Sequence, residues 1–375
     1  MSVAIVHDYL TQRGGAERVV LSMVKAFPDA PVYTSVYEPA STFPEFADID
    51  VRPMVLSRVS LLRRDHRRGL PAYPFAFSAR KVDADIVLCS SSGFAHGIRT
   101  DGFKVVYCYT PPRWLYKEAR PYMRQWPAAV VAATYALRPA LRRWDRRAAA
   151  SADCYLTSST AVRDRIAREY GIESSVVPPG TNLGVDGERL AVPGLEVGFA
   201  LCVSRMLSYK NVDAVARAFE LMPHLQLVIV GDGPAASDVR RAAGRNVRIL
   251  PEVTNSELRW LYANCSLLIA ASYEDFGLTP VEAATWGRPT AALRSGGFLD
   301  TVVEGVTGYF FDEPTPESIA RTVERVVGSG LTEGPIIDHA SFYTEEAFIA
   351  RLRAAVSDGQ GLVGLPPAVA EEAAR

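Results

Sequence analysis

The chain has 375 residues, of which 48% are hydrophobic and 22% charged, a composition that allows a sizeable buried core and argues against wholesale disorder. Chains of this length divide into domains of about 100 to 200 residues, so two domains are expected. The net charge of −1 hides an asymmetry: residues 1–180 hold 25 Lys and Arg against 17 Asp and Glu, whereas residues 181–375 hold 16 against 25.

No stretch approaches the roughly twenty apolar residues of a membrane span. Met1 leads directly into the apolar run Val3–Val6 with no charged leader or cleavage signal, so neither an anchor nor export is expected. Cys89, Cys108, Cys154, Cys202 and Cys265 lie in or beside apolar runs without a CxxC pair. They read as reduced core residues of a cytoplasmic protein, and no metal site is predicted.

Short apolar runs that end at polar or glycine-rich turns alternate with helical stretches, the pattern of βα units that build a parallel sheet. In chain order, strands are predicted at Ser2–Val6, Val32–Val36, Ile86–Cys89, Lys104–Tyr107 and Cys154–Thr157. The helices between and after them fall at Ala16–Phe27, Ala128–Ala150 and Ala161–Tyr170. VVPPGTNLG at Val176–Gly184, with two prolines and two glycines, makes a poor element interior and a good linker. From Phe199 the alternation restarts. Strands at Phe199–Val203, Leu225–Val230, Val247–Leu250, Leu267–Ala270 and Thr290–Leu293 interleave with helices at Val212–Leu221, Ala235–Ala243, Glu257–Ala263 and Thr279–Trp286. Helices at Pro316–Val327 and Glu345–Val356 and a loose small-residue tail follow.

The expected architecture is therefore α/β, with two Rossmann-like doubly wound parallel sheets facing a central cleft. Domains are placed at residues 1–184 and 185–343, with a C-terminal helix and tail at 344–375 packing back on the first. Ligands of open α/β sheets sit beyond the carboxyl ends of the strands, so each domain contributes one rim.

The first rim is Val6-His-Asp-Tyr-Leu-Thr-Gln-Arg-Gly-Gly-Ala-Glu-Arg, where Gly14 and Gly15 turn from a strand into a helix start that suits an anion. It is not a full GxGxxG pattern, and a Gly-Gly turn alone is most often just a turn. The second rim, ASYEDFGLTPVEAATWGRP at Ala271–Pro289, carries more. Glu274 lies in the loop before a helix and Glu282 inside it, eight residues on. Eight steps of about 100° leave roughly 80° past two full turns, so both carboxylates border the cleft if the loop folds back. Phe276, Gly277 and Leu278 supply the first free helical N–H groups, which suit a diphosphate.

This pair of glutamates around an FG turn resembles the EX7E motif of the retaining glycosyltransferases of family 4, which have the GT-B fold. VHDYLTQRGGAERVV at Val6–Val20 is similar to the amino-terminal motif of the mannosyltransferase-like members that build bacterial polysaccharides. VSRMLSYKNVD at Val203–Asp213 is similar to the donor-phosphate motif, with Arg205 and Lys210 as its cations. The resemblance implies that Glu274 contacts the donor sugar, that Glu282 holds the ribose, and that Arg205 and Lys210 bind the diphosphate without a metal. It also places Gly231 and Gly233 of VGDGP beneath the nucleotide, with Pro251–Val253 against the base; Gly15, at the first rim, is a further candidate donor contact.

Relatives carry a histidine where this chain has Tyr109, in YCYTPPRWLY. Tyrosine still hydrogen-bonds a sugar hydroxyl but is neither cation nor base near neutral pH. Tyr109, His96 and Asp8 are candidates for acceptor or sugar contact.

The implied activity is transfer of a hexose from a nucleotide sugar, with GDP-mannose the first expectation and UDP-sugars next, to a glycan or lipid-linked acceptor by a front-side retaining mechanism. The nucleotide sugar is a substrate, and no cofactor or nucleic acid is implied. Two arginine-rich segments with interleaved aromatic or aliphatic residues, Ser57–Arg68 and Arg113–Arg147, suit an anionic membrane at its cytoplasmic face. The alternatives are a sugar-nucleotide epimerase or phosphorylase on the same fold, or a catalytically silent nucleotide-sugar-binding partner.

Overall fold

A computed structural model describes residues 1–116, 128–181 and 183–357. Among the described residues the chain divides into two compact units, one of Met1–Pro179 with residues 348–357, the other of Gly180–Ala347.

The first unit holds a seven-stranded sheet: β1 (Val3–His7), β2 (Val32–Thr34), β3 (Val51–Pro53), β4 (Ile86–Ser91), β5 (Phe103–Cys108), β6 (Cys154–Thr157) and β7 (Ser175–Val176). Their order is β3-β2-β1-β4-β5-β6-β7 and every pair is parallel. A parallel sheet needs cover on both faces, so its strands are apolar on both. Successive residues of β1 accordingly enter opposite cores: Ile5 joins Val20, Met23, Leu88 and Tyr107, while Val6 joins Phe77, Cys89, Val106 and Ile166. The helix Glu345–Ser357 completes the first of these cores with Phe348, Leu352, Ala355 and Val356.

The second unit holds a six-stranded sheet of β8 (Ala200–Val203), β9 (Leu227–Val230), β10 (Val247–Leu250), β11 (Leu267–Ala270), β12 (Thr290–Leu293) and β13 (Gly308–Phe311). Their order is β10-β9-β8-β11-β12-β13, again all parallel. The side chains of β9 and β11 are wholly buried. Each unit is thus a Rossmann-like domain, and each sheet reverses its winding once, between β1 and β4 in the first and between β8 and β11 in the second.

The sequence pattern does not predict β3, β7 or β13, nor the helices Ser60–Arg64, Tyr73–Ala79, Phe298–Thr301 and Glu333–Ser341. These strands lie at sheet edges, where pairing with one neighbour suffices and a continuous apolar run is not required. Val51-Arg-Pro, for example, is half-buried or exposed throughout.

The arginine-rich segment Ser57–Arg68 folds into short turns around the helix Ser60–Arg64. Of the second such segment, residues 117–127 lie outside the described residues, as does the small-residue tail beyond Ser357. Among the described residues no helix is long and apolar enough to cross a membrane.

Candidate functional site

The strongest site lies at the carboxyl edge of the second sheet, where the winding reverses. Chain leaving β8 and chain leaving β11 diverge there, opening the crevice in which α/β sheets bind ligands. The β8 loop carries Arg205 and Lys210, and the β11 loop carries Glu274. The two loops are joined. Lys210 Nζ donates to Glu274 Oε1 in an ion pair, Ser272 Oγ donates to the same oxygen at 2.8 Å, and Asn211 Nδ2 donates to the Ala271 carbonyl at 2.8 Å. Asn211 adopts φ of 53°, a left-handed turn that asparagine tolerates better than most residues.

Arg205, on the same loop as Lys210, is exposed and makes no ion pair among the described residues. A cation held out at a sheet switch point without a protein counter-ion suits an anionic ligand.

The β12 loop supports Glu274 from behind. Gly297 N donates to the Glu274 carbonyl at 3.0 Å. Gly296, at φ of 59°, packs so close that a Cβ there would lie 2.1 Å from that carbonyl oxygen. Neither Ser272 nor this second glycine pair is singled out by the sequence pattern, and only the turn Ser295-Gly-Gly hints at it.

The helix Leu278–Thr285 starts at Gly277, φ 89°, with no side-chain cap. Its first N–H groups therefore lack the partner that an N-cap residue supplies. On this helix Glu282 is half-buried, and its Oε2 accepts from the Tyr262 hydroxyl at 2.7 Å. Two of the turn residues serve packing. Phe276 is buried with Val281 and Tyr343 in a small core that Leu278 also joins, so these residues have only backbone groups to offer a ligand.

Gly231 and Gly233 likewise have a structural reason. Their φ values are 133° and 155°, and a Cβ on either would meet the carbonyl of Ser204 or Met206 at 2.2 or 2.5 Å. They let the β9 loop press against the Arg205 backbone. Pro251–Val253 precedes Thr254, which caps the helix Asn255–Asn264 through a capping box with Glu257.

In the first unit Asp8, His96 and Tyr109 each bond to other groups of the protein. Asp8 is 2% exposed, and its carboxylate accepts from the backbone N–H of Ser92, Phe94 and Ala95 at 2.6 to 3.0 Å. It ties the β1 loop to the β4 loop and has no open face for a sugar. His96 is equally buried, 3.1 Å from the carboxylate of the fully buried Asp145, with Nδ1 2.9 Å from Ser91 Oγ. Asp145 also accepts from Tyr116 at 2.5 Å. This cluster links the helix Ala128–Ala149 to the turn after β4.

The Tyr109 hydroxyl lies 2.9 Å from Ser90 Oγ and donates to the Ala16 carbonyl at 3.1 Å. Burial, followed by its neighbours Glu17 and Asp8, raises its pKa, so the phenol stays neutral. Ser90 Oγ also meets His7 Nδ1 at 2.9 Å. Gly15 has open space around it. It is Gly14 whose Cβ would strike the carboxylate of buried Glu17, at 2.5 Å. His7 and Glu17, 3.8 Å apart and both buried, form the centre of this rim; sequence order alone does not show that they meet.

Residues 13–185 match the family model described as Glycosyltransferase Family 4, and residues 194–333 match that described as Glycosyl transferases group 1. The chain is 38% identical over 86 residues to the alpha-1,3/1,6-mannosyltransferase ALG2 of Dictyostelium discoideum, a stretch that covers 23% of this chain and 20% of that protein. It is 30% identical over 217 residues to a D-inositol 3-phosphate glycosyltransferase of Mycolicibacterium vanbaalenii, 49% of this chain and 48% of that one. The chain thus spans half or less of the length of these two curated relatives.

Among solved structures it is similar to a sucrose-phosphate synthase from Thermosynechococcus elongatus, with TM-score 0.70 and 16% identity over 96% of this chain and 99% of that one. It is also similar to Anabaena HepE in complex with UDP-glucose, with TM-score 0.68 and 17% identity over 96% and 100%. Fold and matches together define a glycosyltransferase with the two Rossmann-like domains of the GT-B class. Within that class, the amino-terminal domain matches the family 4 model and the carboxyl-terminal domain the group 1 model.

Proposed function

We propose that the chain transfers a hexose with retention of anomeric configuration, from a nucleotide-sugar donor held by the second unit to a glycan or lipid-linked acceptor. The observation that carries this reading is the junction of the β8 and β11 loops. There Lys210 and Glu274 are paired on loops that also carry the exposed Arg205, at a switch point that holds an uncapped helix start.

Breaking the bond between the sugar C1 and the diphosphate oxygen leaves negative charge on the phosphate. Fixed cations and helix N–H groups stabilise that charge more in the transition state than in the ground state. The acceptor hydroxyl forms its bond to C1 on the face the phosphate vacates and passes its proton to the departing phosphate oxygen. Glu274, with one oxygen fixed by Lys210 and Ser272, orients the sugar, and Glu282 holds the ribose hydroxyls.

Mannose from GDP-mannose is the first donor to test, supported by the similarity to a mannosyltransferase. UDP-glucose, present in the HepE structure, leads the UDP-sugars. A thermal-shift panel of nucleotide sugars identifies the donor, because a ligand that binds only the folded state raises Tm. Product anomers are then read by NMR after incubation with acceptor. A panel with no shift, or a product of inverted configuration, refutes the proposal.

Peripheral contact with an anionic membrane belongs to the same reading. Val55, Val59, Leu61 and Phe75 are 46 to 77% exposed, close in sequence to the exposed Arg58, Arg64, Arg67 and Arg68. Apolar residues that insert and cations that meet lipid phosphate are the two parts of an interfacial anchor. Cosedimentation with anionic vesicles at low salt is expected, and is lost in F75S/L61S; no binding by the unaltered chain would end this part of the proposal.

A further inference from the structure

Tyr262 lies near the end of the helix Asn255–Asn264 and is fully buried among Phe199, Leu201, Val230 and Leu268. A tyrosine so placed needs a partner for its hydroxyl, since an unpaired polar group in an apolar cluster is costly. Its partner is Glu282 Oε2, at 2.7 Å, on a different helix and twenty residues away in sequence. A phenylalanine would fill the same space, so packing alone does not account for the oxygen.

We infer that Tyr262 is a positioning residue of the donor site: by fixing one carboxylate oxygen of Glu282, it holds that side chain in the orientation that receives the ribose. The inference rests on the ribose-binding reading of Glu282 given above. The chemistry fits on both sides of the bond. Burial, and next the carboxylate itself, raise the Tyr262 pKa well above its ordinary value, so the phenol is always a donor here. A carboxylate has about four acceptor positions, and the tyrosine bond uses one of them. Held from behind, the carboxylate has less rotational freedom to lose when the ribose arrives.

The probes are GDP and UDP, each with its 2′,3′-dideoxy counterpart, titrated by calorimetry against the full chain, Y262F and E282Q. The unaltered protein is expected to prefer the ribonucleotide. Y262F should lose about tenfold in affinity for it, leave the dideoxy affinity unchanged, and raise the donor KM with little change in kcat. If Y262F keeps the full preference while E282Q erases it, Tyr262 is a packing residue only; the inference fails and the ribose reading stands. If E282Q also keeps the preference, or the unaltered protein has none, the ribose reading fails and the inference with it. Circular dichroism checks that each variant is folded, and Y262M, which also lacks the hydroxyl, replaces Y262F if that variant does not fold.

Discussion

Replacing Lys210 with methionine keeps most of the side chain's stem and removes its charge. The Lys210 side chain is 14% exposed and that of Glu274 28%, so the pair is screened less than a surface ion pair. In the unliganded protein the loss is small, because Glu274 Oε1 keeps the Ser272 hydroxyl; a stability change within about 1 kcal/mol is expected. Turnover is another matter. A preorganised donor aimed at charge that develops in the transition state is worth about 3 kcal/mol, which lowers kcat/KM by about a hundredfold or more. The assay is release of nucleoside diphosphate in the presence of acceptor, with Tm recorded on the same preparation. If K210M stays folded and keeps kcat/KM within about threefold of the unaltered enzyme, too little for a lost transition-state contact, the donor-phosphate assignment is wrong.

Gly296→Ala forces a side chain into the left-handed region and against the Glu274 carbonyl; the Glu274 loop must shift, and activity should fall at least tenfold for a Tm change of a few degrees. Activity equal to the unaltered enzyme would show that the loop does not hold the sugar. Thr254→Ala breaks the capping box of the helix Asn255–Asn264 and should cost about 1 kcal/mol in urea unfolding. An unchanged midpoint would mean the helix is held by packing alone. His66 is pushed down to about 4, chiefly by burial and next by Arg67. Because the unfolded chain takes up that proton at about pH 6.5, the stability due to neutral His66 is full above that pH and is lost as pH falls toward 4. H66Q should therefore lose less Tm between pH 7 and pH 4.5 than the unaltered chain does, and equal losses would refute the assignment.

The βα alternation was legible because parallel strands buried on both faces must be apolar along their whole length, as Leu267–Ala270 is. Edge strands escape that demand, and β3, Val51-Arg-Pro, half-buried or exposed throughout, shows why they pass unnoticed. At the site, motif spacing indicated Glu274 and Lys210 separately, and folding joins them. What the spacing does not distinguish is a residue that faces a ligand from one that serves the backbone. Gly231 and Gly233 answer to the carbonyls of Ser204 and Met206, and Asp8 to three amide groups. Conversely Tyr262 and Ser272 look like ordinary core and loop residues in sequence, because their partners lie twenty residues away or depend on one rotamer.

The helix Glu345–Ser357 has a consequence for biogenesis. The unit that begins the chain is missing part of one core until Phe348, Leu352, Ala355 and Val356 have been made. During translation the described part of the second unit, Gly180–Ala347, is made before these four residues of the first. A nascent or nonsense-truncated polypeptide that stops short of residue 348 leaves Tyr107, Leu156 and their neighbours without this cover, a form that chaperones and proteases would recognise.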